Sequence, residues 1–496
     1  MRCPHEVLRA GESPILGLVL LSACASVNGE GSFADVQRVT EARIGHAVRW
    51  NQGAKADEET AKAVRALLAE PLTAEAAVQI ALLESPRLQA TFERIGIAQA
   101  DLVAAGLLEN PVFETRVLAV QGQQQPELGF AAALDFLDVV YLPLRVSIAE
   151  TELARAMAEV TAAVLDLAFE ARTAFYAYQA ALERRTLVEA ITETEEAALD
   201  LARRLHAAGN LSDLELLNEE ALYQDAQLAL LDARARVAES RARVNVLLGG
   251  WGARATWTAV PELPHLPDEP VVLDDLEQRD LEKRDLEKRA LEQSLELAAA
   301  RRAIEAAAAR LGHARASRFV PELEAGLTVE NEEGPWKVGP VVGFPLPLLN
   351  WGQTDVARRE AEMRVAQRTY VAEAIRVREA ARLLKSTLEA ARARAVRLRE
   401  DVLPLRARIV DETRRQYNAM QVSAFELLAA RRLEIESLRR YLDARLSYWM
   451  ARAALDQLNR GRLPPEGARV IDSVSSEAGS RELGAGETGR SEGDHG

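Results

Sequence analysis

Few side chains in this sequence are placed to do chemistry. Cys24 ends the stretch PILGLVLLSAC, residues 14–24, where a thiol behind a short apolar run is open to acylation. Carboxylates at Asp213, Glu215 and Glu426 stand just past two similar turn-like stretches, where they could attract cations and bias ion passage. The histidines (His5, His46, His206, His265, His313, His495) are scattered, with no close pair at ligand spacing. There is no phosphate loop ending in Gly-Lys-Ser/Thr and no dinucleotide fingerprint between a strand and a helix. Cys3 and Cys24 are the two cysteines, too few for a disulfide framework or a thiolate metal site. The sequence therefore predicts no catalytic constellation, no metal site and no cofactor.

The elements that must position these residues begin with a leader. Ile15 to Leu21 is too short to span a bilayer, which needs about 20 apolar residues. With Arg2 and Arg9 ahead of it and small residues behind, it reads as the apolar core of a secretory signal over residues 1–23. Leu21-Ser22-Ala23-Cys24 resembles the lipobox of bacterial lipoproteins. That resemblance implies cleavage before Cys24 and a diacylglycerol on its thiol. Two acyl-type anchors hold stably where one is marginal. Ala25 in the next position implies sorting to the outer membrane. Residues 24–71 then form a lipidated N-terminal tether.

A net charge of −15 argues against nucleic acid as a partner, because a phosphate backbone needs a basic face. Alanine, leucine, arginine and glutamate dominate, which is the composition of long helices. No later stretch is apolar enough for a transmembrane helix, so any membrane crossing must be made by strands.

The chain repeats itself after about 210 residues, a period far longer than that of a solenoid. ENPVFETRVLAV (Glu109–Val120) corresponds to FVPELEAGLTVE (Phe319–Glu330), and RLHAAGNLSDLELL (Arg204–Leu217) to RQYNAMQVSAFELL (Arg415–Leu428). The halves run over residues 72–270 and 295–461. Each carries two segments of strict apolar alternation, about 111–120 and 127–137 in the first, about 321–330 and 336–346 in the second. About ten residues with period two suit a tilted membrane strand, and the turn-rich QGQQQP and NEEGP between them read as hairpin loops. Isolated two-stranded hairpins are marginal in water, and the sequence offers no further strands to complete a soluble sheet.

Long helices follow. Residues 147–206 contain no proline or glycine, and residues 354–420 contain one proline, Pro404, which should kink the helix or mark a bend. Leu384, Leu388, Ala391, Ala395, Leu398, Val402, Leu405 and Ile409 recur at spacings of four and three, the seven-residue repeat of a left-handed supercoil. Four strands cannot close a barrel, for which about eight is the practical minimum. Open edges in lipid would leave backbone groups unpaired. Several identical chains must therefore share one barrel, and three would supply about twelve strands. The fold class expected is mainly α with a small β part: a trimeric α-helical barrel continued by a 12-stranded transmembrane β-barrel.

From about Leu72 to Gly461 the chain resembles the TolC-like outer-membrane factor family, as a lipoprotein member. The residues that carry the resemblance are LTAEAAVQIALLESPRLQA (Leu72–Ala90), the strand opening ENPVFE, FPLPLLNWGQTDVARREAE (Phe344–Glu362) and the two helix–turn–helix tips. The resemblance implies a homotrimer in the bacterial outer membrane that extends into the periplasm. It also implies a periplasmic adaptor (membrane fusion) protein and an inner-membrane pump as partners, and passive conduction as the exit duct of efflux or type I secretion. In that family the tips close the tunnel and are gripped by the adaptor. The matching tips are residues 204–217 and 415–428, with Gly209, Asp213, Glu215, Met420, Ser423 and Glu426 as their site residues. Gly209 suits a tight turn. Met420 replaces it in the second copy, which points to a different turn. A ring of Glu215 and Glu426 carboxylates, with Asp213 nearby, would repel itself and raise some of their pKa values. The competing reading of each is a solvated helix-start residue favoured by the helix dipole.

Two segments stand apart. DLEQRDLEKRDLEKRALEQS (Asp275–Ser294) is a tandem pentapeptide whose leucines, five apart, rotate around a helix. It reads as a charged linker over residues 271–294. Residues 462–496, rich in Gly, Ser and Glu, read as a disordered tail. The alternative to a duct is a lipid-anchored periplasmic coiled-coil scaffold or adaptor without a pore. Extraction separates the two: a duct still needs detergent after Cys24→Ala, whereas a tethered scaffold becomes soluble in buffer.

Overall fold

The computed structural model describes residues 30–53, 55–110, 112–118, 127–267, 279–318, 324–331, 335–343 and 351–465. Cys24, both expected hairpin loops for most of their length, the start of the pentapeptide segment and the tail after residue 465 lie outside them. The chain forms two compact units. The first takes the chain up to Asp35, Glu93–Met157 and Arg302–Val365; the second takes Val36–Phe92, Ala158–Arg301 and the chain from Ala366.

The first unit holds a four-stranded antiparallel sheet of β1 (Val112–Leu118), β2 (Glu127–Asp135), β3 (Glu324–Asn331) and β4 (Lys337–Gly343), in that spatial order. The β2–β3 pair joins strands that are almost 200 residues apart, so the two halves of the repeat build one sheet. Phe113 lies opposite Ala132, Phe130 opposite Val329, and Val329 opposite Val338. Because side chains alternate along a strand, this register puts Phe113, Thr115, Val117, Phe130, Ala132, Leu327, Val329, Val338, Pro340 and Val342 on one face. Glu114, Arg116, Gly129, Thr328, Glu330, Lys337 and Gly339 share the other. Phe113, Val117, Leu327, Val338 and Val342 are each more than half exposed. Phe130 stacks between Phe113 and Trp336, with ring centroids 6.1 Å apart in both pairs.

Around the sheet, α4 (Pro86–Ala105), α5 (Phe136–Ala207), α8 (Leu295–Ala316) and α9 (Gln353–Arg397) contribute their ends to this unit. They are tied by Arg145 donating to the Leu107 carbonyl at 3.0 Å, Arg315 to Glu360 at 2.7 Å and an Arg310–Glu152 ion pair. α5 begins at Phe136, where alternation alone extends the strand to 137, and it runs on through Pro143.

The second unit is helical. α1 (Glu30–Ile44), α2 (Lys55–Ala69) and α3 (Ala74–Glu84) lead into it, and α3 is capped by the Thr73 hydroxyl accepting from Ala76 N–H at 3.2 Å. The two long hairpins are α5 with α6 (Asp213–Leu248), and α9 and α10 (Leu403–Asn418) with α11 (Ala424–Asn459). α6 and α11 are each 36 residues long. Between α9 and α10 the chain makes one π turn, Leu398–Val402, in which Leu403 N–H bonds the Leu398 carbonyl. Pro404 has no N–H for the ordinary ladder, and the wide turn absorbs that lost bond. α7 (Arg279–Gln293) uses part of the pentapeptide segment. Leu286 and Ala290 enter the core beside Val377, Leu384, Tyr448 and Leu455, while Glu287 meets Arg382 at 2.7 Å and Arg378 at 3.5 Å.

Ion pairs fasten α5 to α11 along their length: Asp166 to Arg462 at 2.5 Å, Glu183 to Arg445 at 3.1 Å, Arg184 to Asp443, and Glu195 to Arg432 at 2.6 Å. At the N-terminal side, Glu75 contacts His46 at 3.0 Å and Arg172 at 2.8 Å. The hydrogen bond to His46, with the neighbouring Arg172 charge, holds the Glu75 carboxyl down at about 2. Arg445 is buried, and besides Glu183 it donates to the Leu263 and Pro264 carbonyls. Arg445→Met should leave these acceptors without their donor and cost about 3 kcal/mol, read as a lower denaturation midpoint of the detergent-solubilised protein.

Candidate functional tips

Helix α5 ends in a turn closed by main-chain bonds. Gly209 N–H donates to His206 O at 2.8 Å and Asn210 N–H to Leu205 O at 2.9 Å, with Gly209 at φ +76°. This is the left-handed helix terminus that glycine adopts without steric cost. The next helix starts at once. The Ser212 hydroxyl accepts from Glu215 N–H at 3.3 Å, and the Glu215 carboxylate accepts from Ser212 N–H at 2.9 Å. This reciprocal pair satisfies two of the donors that a helix start leaves free.

The second hairpin closes in the same way. Met420 N–H donates to Tyr417 O and Gln421 N–H to Gln416 O, both at 2.9 Å, and Met420 sits at φ +59°. Ser423 and Glu426 repeat the reciprocal cap at 3.2 and 2.8 Å. Met420 therefore does not bring a different turn. The closing bonds and the cap impose the left-handed conformation, and methionine adopts it at a cost of roughly 1–2 kcal/mol. Its side chain is 95% exposed.

The structure thus gathers Gly209, Asp213 and Glu215 in one tip, and Met420, Ser423 and Glu426 in the other. Within the single chain, Glu215 and Glu426 are helix-start caps. Bonds from the Ser212 backbone and hydroxyl hold the Glu215 carboxyl below its usual range, so it is ionised at neutral pH, and its contribution to the cap fades only on acidification through that lowered value. Asp213 faces His206 Nε2 at 2.7 Å, a contact across the turn that has no counterpart in the second tip, where Tyr417 and Ala424 stand. The sequence reading passed over Ser212, although Ser-x-x-Glu at both positions is a legible signature of a capped helix start.

Apolar residues surround these tips without cover. Leu214, Leu217, Leu228 and Leu231 of α6 are exposed at heptad spacing, and Leu405 and Ile409 of α10 are exposed as well. Among the described residues, no cluster of three or more His, Cys, Asp and Glu side chains could hold a metal ion, and no helix is long and apolar enough to cross a membrane.

No protein-family model matches the chain. It is similar to the cobalt-zinc-cadmium resistance protein CzcC of Cupriavidus metallidurans, with 24% identity over 398 residues that cover 79% of this chain and 90% of that protein. Its structure resembles the outer-membrane channel OprN with a TM-score of 0.63 and 17% identity, covering 80% of this chain and 91% of that one. It also resembles the outer membrane protein VceC from Vibrio cholerae, with a TM-score of 0.60 and 19% identity over 78% of this chain and 96% of that one. The chain has the fold of the TolC-like outer-membrane channels.

The two turns make a paired test. An added Cβ at Gly209 meets open space, so Gly209→Ala carries only the backbone cost. Hydrogen exchange at the Asn210 amide should quicken about fivefold in Gly209→Ala, the effect of about 1 kcal/mol. Met420→Gly should slow exchange at Gln421. Equal exchange in variant and parent would show that neither residue is strained.

Proposed function

We propose that this chain is the outer-membrane channel of a tripartite efflux or type I secretion system, conducting substrates passively from the periplasm and pump to the outside. The observation that carries this reading is the sheet: one face is apolar and uncovered, and β1 and β4 are both open edges. Neither feature is stable in water or lipid for a lone chain. A β4 edge pairing with the β1 edge of the next copy closes a ring, and three copies give about twelve strands with the apolar face toward lipid. The exposed heptad leucines of α6 and the lower stripe of α10 would pack in the same assembly.

The relatives support the same use. CzcC is named for cobalt, zinc and cadmium resistance and OprN for an outer-membrane channel, which fits an export duct served by an adaptor and an inner-membrane pump. Selection of cargo then belongs to the pump, and the duct itself needs no cofactor or catalytic group. Cys24, with its acyl chains, would hold the N-terminus at the same membrane. Glu215 and Glu426, ionised and exposed at the tips, would ring the periplasmic aperture once three chains meet, with Asp213 beside them.

Planar-bilayer recording tests the channel and the ring together. The purified protein should form small, cation-selective pores. Glu215→Gln with Glu426→Gln keeps the caps, because glutamine serves at that helix position, and should reduce cation selectivity. Absence of any pore would overturn the channel, whereas unchanged selectivity would overturn only the ring.

A further inference from the structure

Between the tips and the firm upper part of the hairpins lies a group of charges that does not balance. Glu195 of α5 is 3% exposed, and its carboxylate is held by Arg432 of α11, with Arg432 Nη2 donating to Oε2 at 3.1 Å. Glu219 of α6 is close enough for its charge to act on Glu195, and its Oε2 is buried with no hydrogen-bond partner. Two carboxylates thus share one guanidinium. The neighbouring charges are already engaged: Arg431 pairs with Glu434, and Arg203 with Glu220 at 3.5 Å. Thr192, one turn above, spends its hydroxyl on the Val188 and Ala226 carbonyls and gives Glu219 no donor.

Two ionised carboxylates that share one buried cation repel each other, and the cheapest relief is a proton. We infer that Glu195 and Glu219 hold one proton between them at neutral pH, and that this proton sets how firmly Arg432 fastens the second hairpin to the first. Burial of Glu195 and the Glu219 charge both push its carboxyl up, against the pull of Arg432. Among the described residues, the Glu195–Arg432 pair is the charged link between the hairpins nearest the tips; the tip ion pairs, Arg204–Asp200, His206–Asp213 and Arg415–Glu412, each stay within one hairpin. With one proton present, one carboxylate remains for Arg432 and the link holds. Uptake of a second proton discharges both and leaves Arg432 without an ionic partner. The link should therefore loosen as the periplasmic side acidifies, freeing the tips below it.

Two measurements on the full-length protein in detergent test this. Infrared difference spectra of the parent against Glu219→Gln, at neutral pH, should show a protonated-carboxyl band in the parent that the variant lacks. Hydrogen exchange, corrected for the intrinsic effect of pH, should show protection of residues 195–207 and 424–432 falling by about tenfold on acidification, the effect of one unit of differential proton affinity. In Glu219→Gln, where an uncharged amide neighbours Glu195, protection should persist to lower pH. A parent without the band, or a variant whose protection falls over the same pH range as the parent's, would overturn the inference. Should the variant fail to fold, the parent's own protection profile decides, since a flat profile excludes the proton-dependent link.

Discussion

The outer edges of β1 and β4 present backbone N–H and carbonyl groups that no other strand of the sheet can pair. In water such an edge invites uncontrolled pairing, and in hydrocarbon each unpaired group costs several kcal/mol. Four strands cannot curl far enough to meet themselves. The requirement for other copies follows from that count, and the rest of the molecule is consistent with it. The face carrying Phe113, Phe130, Leu327 and Val338 is apolar because it must meet something apolar, and the other face carries glycines, Thr328 and paired charges such as Arg116 with Glu114. That division suits a wall between lipid and a water-filled interior.

Duplication explains how one short chain supplies such a wall. Each half contributes two strands and one long hairpin, and the β2–β3 pairing places the seam between halves inside the sheet instead of at its edge. The hairpins match in detail: two 36-residue helices, each opened by the same Ser–Glu reciprocal cap. The halves have diverged where geometry permits. Gly209 and Met420 occupy the same left-handed position, and only the first tip has a histidine facing an aspartate.

Local periodicity made the strands and helices legible, because it is written into consecutive residues. Phe113, Thr115 and Val117 alternate whatever lies beside them, and a run without proline or glycine extends as helix. The beginning of α5 at Phe136 was not legible, since the alternating segment flows into it without a turn residue and Pro143 is tolerated inside the helix. The turn at Met420 was misread because residue type argues against φ > 0 there, while the bonds to Tyr417 and Gln416 enforce it. The pairs Glu183–Arg445 and Glu195–Arg432 were hidden for another reason. Their members are more than 230 residues apart in sequence, and neither residue is unusual in its own helix.

Packing along the hairpins is uneven, and the unevenness has a direction. On the stripe from Leu384 to Ile409, Leu384, Leu388 and Ala395 are buried inside the chain, whereas Leu405 and Ile409 are open. The same spacing continues, so the sequence has not ceased to specify a contact; the chain has ceased to supply the partner. On the other hairpin, Ala226, Ala233 and Val244 of α6 are buried while Leu214 and Leu217 are not. Stability within one chain therefore declines toward the tips, where neighbouring copies or an adaptor must supply the missing contacts. Segments held mainly by such borrowed contacts can rearrange without unfolding what lies above them, and an aperture needs that property.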